Sequence, residues 1–142
     1  MATFVKFEVF PKNLVAGVHI FGTNAFKLLL TNTAPVAATD ELIGDITQIS
    51  AGNGYTAGGL ALDNVVLSEA GGVAKVVIDD ETITASGGSI GPFRYLVVYD
   101  DTPTSPADPL CFYYDYGSNL TLADGESLSV DFNGTSGVFT LT

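Results

Sequence analysis

One histidine, one cysteine and a scatter of carboxylates are the side chains here with chemical capacity, and their numbers restrict the chemistry at once. A tetrahedral zinc site of the usual nitrogen and sulfur type needs more ligands than His19 and Cys111 supply within one chain. His19 lies between Val18 and Ile20 on an apolar segment, where a structural imidazole held by hydrogen bonds is expected rather than a catalytic one. Serines are plentiful, but a serine with one histidine and some aspartate is a combination that any sequence offers, and no nucleophile is expected among them. Asp79, Asp80 and Glu81 are contiguous, and Asp100 and Asp101 adjoin a proline-rich stretch. Adjacent side chains on a strand point to opposite faces, so neighbouring acids do not converge on one proton, and neither group has calcium-loop spacing. Solvated turn acids are expected. Residues 52–59, Gly-Asn-Gly-Tyr-Thr-Ala-Gly-Gly, lack the spacing and the lysine of a phosphate loop. They read as a loop that needs left-handed backbone or close backbone approach. No catalytic, cofactor-binding or metal-binding residue is assigned, and no cofactor is expected.

The scaffold that would position these residues is legible in bulk properties. A length of 142 residues suits one domain with one core. Hydrophobic residues make up 46% and charged ones only 15%, with 16 glycines among many Val, Thr, Phe and Tyr. This profile favours strands and turns over long exposed helices and argues against disorder. The net charge is −11, unevenly spread. Residues 1–33 hold Lys6, Lys12 and Lys27 against Glu8 alone; beyond them only Lys75 and Arg94 oppose all the remaining acids. A polyanion would be repelled by most of such a surface, so nucleic acid is not an expected partner. A single cysteine allows no intrachain disulfide, which fits a reducing compartment. Residues 1–10 lack the basic start and apolar run of a signal peptide, and no apolar stretch has membrane-spanning length, so no membrane is expected.

Periodicity predicts about ten short strands. Residues 3–10 alternate, with Val5, Phe7 and Val9 on one face and Lys6 and Glu8 on the other. Residues 14–21 and 25–31 follow as strands, then a long segment over 32–59 with a short helical turn that Thr39 would cap. Strands return at 60–68, 73–79, 82–85, 93–99, 110–116, 127–131 and 138–141, with turns at 69–72 and at Asn133-Gly134. The expected fold is all-β: a single-domain antiparallel β-sandwich, jelly-roll-like, over residues 1–142, with at most one short helix. Residues 1–13 are expected to form an interaction strand or arm.

Three stretches also resemble a family of small tailed-phage virion structural proteins: Gly-Tyr-Thr-Ala-Gly-Gly at 54–59, Arg-Tyr-Leu-Val-Val-Tyr-Asp-Asp-Thr at 94–102 and Leu-Cys-Phe-Tyr-Tyr-Asp-Tyr-Gly at 110–117. Ala-Phe-Lys-Leu-Leu-Leu-Thr-Asn at 25–32 and Gly-Val-Phe-Thr-Leu at 137–141 extend the resemblance over nearly the whole length, while the apolar segment 3–18 departs from the pattern. The resemblance implies a non-enzymatic capsid decoration, or cement, protein. It would be made in the host cytoplasm and carried in the virion, with the major capsid protein as partner and a homo-oligomer, taken as a trimer, as its form. Phe4, Phe7 and Phe10 in the near-neutral N-terminal third, with Tyr55 on the glycine-rich loop, are the expected contact residues. The alternatives are a receptor- or carbohydrate-binding module of a head fibre or tail, with Tyr113, Tyr114 and Tyr116 as stacking groups, or a tail-tube or head-completion component.

Overall fold

A computed structural model describes residues 2–142. In chain order it contains β1 (Thr3–Lys6), α1 (Val9–Val15), β2 (Phe26–Thr31), β3 (Leu60–Ala61), β4 (Val66–Ala70), β5 (Val73–Val77), β6 (Glu81–Thr84), β7 (Ile90–Asp100), β8 (Leu110–Leu122), β9 (Ser127–Val130) and β10 (Phe139–Leu141). Three sheets result, in the orders β1-β8-β7-β2-β3, β10-β5-β4 and β6-β9. All their pairings are antiparallel. The expected all-β, sandwich-like architecture with one short helix is present.

The centre of the five-stranded sheet is buried on both faces, which explains why β2 and β7 carry continuous apolar runs at residues 28–30 and 95–99. Leu28 pairs with Val98, which pairs with Phe112; one residue along, Leu29 pairs with Val97, which pairs with Tyr113. The first set faces the main core, where it meets Val76 of β5, Ile83 of β6 and Val130 of β9. The second faces a smaller core of Phe7, Leu29, Val97, Tyr99 and Leu110, closed by Val9, Ile43 and Ile46. Between Val98 and Tyr99 the register shifts by one extra residue in β8, so β7 keeps its alternation while Cys111 and Phe112, though adjacent, both enter the main core.

The long segment between β2 and β3 is therefore a wall of the fold. Its one helical turn is the 3-10 turn Ile43–Asp45, where Asp45 Oδ2 accepts from the backbone N–H groups of Glu41 (2.9 Å) and Leu42 (3.0 Å). Those two bonds hold the Asp45 carboxyl below its usual range. The helical turn expected at Thr39 is replaced by a turn in which Asp40 accepts from Val36 N. Further along, the buried Tyr55 hydroxyl accepts from Leu30 N (3.2 Å) and donates to Gln48 Oε1 (3.0 Å), while the Tyr99 hydroxyl donates to Gly58 O. Gly59 lies so close to β2 that a Cβ there would collide with the Leu28 carbonyl, and its φ is +94°. The expectation of left-handed backbone and close approach in this stretch holds.

The largest departure from the sequence reading lies at residues 3–21. Strand β1 stops at Lys6, and instead of a second strand over 14–21 the chain forms α1. Phe10 and Leu14, four residues apart, share the helix face that packs on the main core. Pro11 falls in the first turn, where its missing N–H costs nothing. After Ala16 the chain closes with Gly17 N–H to Leu14 O (3.2 Å) and Val18 N–H to Asn13 O (2.9 Å), the Schellman pattern, with Gly17 at φ +78°. Phe10, Leu14 and Gly17 were the available signal, masked by the apolar run that suggested a strand. Two smaller corrections concern pairing. The predicted strand 60–68 divides into β3 and β4, and Asn133-Gly134 does not join a hairpin, since β9 pairs with β6 and β10 with β5.

Candidate interaction surface

The four expected contact residues separate sharply by position. Phe7 and Phe10 are core residues, and Tyr55 is buried in its hydrogen bonds to β2 and Gln48. The expectation that they face a partner is corrected for these three, for the physical reason that each fills interior space. Phe4 alone stays on the surface, 39% exposed on the edge strand β1, with its ring 5.0 Å from Phe112 and 5.7 Å from Tyr114. Nor are residues 2–13 a separable arm, because β1 is paired along β8 and α1 supplies Phe10 to the main core.

Around Phe4 lies an apolar surface that the sequence reading missed. Strands β1 and β10 are edges of different sheets, and between them runs a groove of about 320 Å³ lined by Phe4, Lys6, Phe10, Leu14, Phe139 and Leu141. It continues into a pocket of about 220 Å³ lined by Leu14, His19, Ile20, Phe21, Leu67 and Leu141, among others. Leu141 (56% exposed), Leu67 (52%) and Ile20 (49%) form the rim. No acid lines either hollow, and Lys6, on the groove wall, makes no ion pair among the described residues. By contrast Lys27 pairs with Asp101 (3.1 Å) and Arg94 with Asp115 (2.8 Å). The surface is thus apolar and locally cationic on a chain that is otherwise acidic.

Beneath the pocket, His19 is held as a structural residue by an arrangement no sequence pattern announced. Its Nδ1 lies 3.0 Å from Asp100 Oδ2, which also accepts from Asn24 Nδ2 (2.8 Å), and both side chains of the pair are wholly buried. Asp100 is thereby corrected from a solvated turn acid to a core carboxylate. Cys111 Sγ lies 3.7 Å from the same Nδ1. A nucleophile relay needs the thiol and the carboxylate on opposite ring nitrogens, so this trio has the composition of a triad without its geometry. Burial, with the Asp100 charge second, raises the Cys111 thiol well above its ordinary value, which opposes thiolate formation.

Other candidate chemistry disperses in the same way. Asp79 accepts from Asn64, Asp80 from Phe132 N–H, and burial followed by the charge of Asp63 raises Glu81. Residues 87–91, Gly-Gly-Ser-Ile-Gly, do match the nucleophile-elbow pattern, but they lead into β7 and not from a strand into a helix, so Ser89 is not an elbow serine. The three tyrosines do not form a platform: Tyr113 packs on Phe7 at 5.3 Å, Tyr114 on Phe4 and Phe132, and Tyr116 alone is exposed. Comparisons with family models, curated proteins and solved structures found no match for this chain.

Proposed function

We propose that this chain is a structural, subunit-binding protein of a tailed-phage virion, a capsid decoration protein that attaches to the outside of the head and stabilises it. The observation that carries the reading is the apolar surface formed by Phe4 and Leu141 at the unpaired edges of β1 and β10 and continued by Ile20 and Leu67 in the adjoining pocket. Isolated exposed apolar residues are ordinary, but a connected set beside free strand edges is the form an adhesive surface takes. The resemblance of residues 54–59, 94–102 and 110–117 to small virion proteins supplies the setting. The major capsid protein is the partner in this reading, bound by apolar burial and strand-edge pairing. A homo-oligomer, a trimer at local threefold positions, is the expected form.

The test is co-sedimentation with purified heads lacking this protein. Phe4→Asp and Leu141→Asp should lose attachment while melting close to the parent chain. Wild-type attachment by both variants would remove the assignment, and density located by electron microscopy on the tail would move it there.

A further inference from the structure

The five-stranded sheet ends on β1, and the ladder to β8 fixes which backbone groups of that strand are free. Phe7 N–H donates to Cys111 O (3.2 Å), one step beyond the pairing of Lys6 with Phe112. In an antiparallel ladder, residues bonded to the neighbouring strand alternate with residues whose N–H and C=O point away from it. Thr3, Val5 and Phe7 are therefore turned to β8, and the N–H and C=O of Phe4 and Lys6 point out from the sheet edge. Just beyond them the Glu8 N–H is already taken by Ala37 O (2.9 Å), so the open edge is that of Phe4 and Lys6. The side chains of the same two residues, two positions apart on a strand, share one face. They line the groove of about 320 Å³, with Phe139 and Leu141 of β10 across it.

An edge with free backbone donors and acceptors beside apolar side chains is completed by another extended chain. Lys6 decides which chain. It is the one basic residue on any edge strand, whether β1, β3, β4, β6, β9 or β10, and it makes no ion pair among the described residues. A lysine on an edge discourages pairing with a strand that cannot meet its charge, and a carboxylate directly across the pair meets it. We propose that β1 receives an extended segment of a partner protein, with an acidic residue opposite Lys6 and an aromatic or large aliphatic residue opposite Phe4. The added strand runs antiparallel, the slightly more stable pairing per residue, so it meets Lys6 before Phe4. In the partner's own direction the pattern is acid, any residue, apolar residue. The acid and the apolar side chain then lie on the groove face, and the residue between them lies on the opposite face, beside Val5. A partner of different sequence is preferred to a second copy, because β1 itself carries no acid and two chains of net charge −11 repel one another. This deepens the proposed adhesive role and rests on it for the existence of a partner, although the edge chemistry is tested without heads.

The capped peptide Ser-Asp-Thr-Phe-Thr-Ser carries the pattern and is titrated into the 15N-labelled full chain, with amide hydrogen exchange followed residue by residue. Saturable binding that slows exchange at the Phe4 and Lys6 amides is expected. Methylating the backbone nitrogens of the peptide's Asp and Phe removes the N–H groups that face β1 and keeps the side chains; it should weaken binding at least about fivefold. Replacing the peptide's Asp with Lys should weaken binding at least about threefold, and a Lys6→Glu chain, altered at an exposed side chain, should reverse that preference. No saturable binding, binding without slowed exchange at Phe4 and Lys6, or equal binding of the methylated peptide would overturn strand addition. Equal binding of the Asp and Lys peptides would overturn the acidic partner. Phe4 and Lys6 amides that gain protection with protein concentration alone would identify a second copy as the occupant and overturn the choice of a different partner. Heads that bind a chain unable to bind the peptide would leave the adhesive role to another face, and peptide binding by a chain that heads ignore would remove that role alone, so the two proposals fail separately.

Discussion

His19 and Asp100 stand 81 residues apart in sequence and 3.0 Å apart in space, joined through Nδ1 and Oδ2 with no solvent on either side chain. The pair ties the segment after α1 to the end of β7, and Asn24 adds a third group to the same oxygen. Removing the carboxylate strands the His19 ring nitrogen and the Asn24 amide without their acceptor, so Asp100→Ala should cost about 1–3 kcal/mol for each group in urea unfolding, and Asp100→Asn, which keeps an acceptor, less.

Phe4 and Phe7 are three residues apart and separate stability from binding. Phe7→Ala opens a cavity in the smaller core and should cost about 3–5 kcal/mol. Phe4→Ala, at an edge, should cost no more than about 1.5 kcal/mol, the scale of an aromatic pair. Deleting residues 1–10 is expected to unfold the chain, because it removes β1, Phe7 and Phe10 together. Circular dichroism melts of the three proteins check this order.

Gly17 and Gly59 both have positive φ, but only one is crowded. An alanine at Gly17 meets nothing within 4 Å and should cost about 1–2 kcal/mol through its backbone alone. At Gly59 the Cβ meets the Leu28 carbonyl, so overpacking adds about 1–3 kcal/mol. Equal midpoints for the two variants in guanidinium would contradict the close approach.

Asp115 accepts from Arg94 at 2.8 and 3.1 Å and from Gly117 N–H, and these bonds hold its carboxyl below the usual range, Arg94 first. A lowered folded value means stabilisation that is full above the unfolded pKa, about 3.9, and lost as pH falls through the folded value. Asp115→Asn should melt below the parent at pH 7, and the gap should close as pH falls below about 4. A gap that widens on acidification would reverse the assigned sign.

Much of the strand framework was legible because burial leaves a period of two. Phe7 and Val9, placed on one face from alternation, do reach the same small core although the strand itself ends at Lys6. Strands 93–99 and 110–116 are each longer in the structure, since β7 begins with Ile90, Gly91 and Pro92, where glycine and proline read as a break, and the outer part of β8 is largely exposed and polar. The helix was hidden because Pro11, Lys12 and Asn13 in its middle read as a break between two apolar segments, and a helix of seven residues is too short to display its own period. The contact surface was less legible still. It is assembled from β1, α1, β4 and β10, and exposure of Leu67 or Leu141 depends on which strands remain unpaired, a property of topology that no local pattern contains. The buried Asp100 was misread because an acid at a strand end beside prolines looks like a turn residue, and its partner is distant in sequence.

The pairing of Thr3 with Asp115 also sets a timetable. A ribosome adds about 5–20 residues per second, so the first strand waits on the order of ten seconds for the neighbour that completes its hydrogen bonds. Until then Phe4 and Phe7 are bare on a nascent chain, and the five-stranded sheet closes only late in synthesis. Such late closure makes nascent-chain chaperones, rather than the finished protein's stability, the expected determinant of yield when this chain is made in quantity.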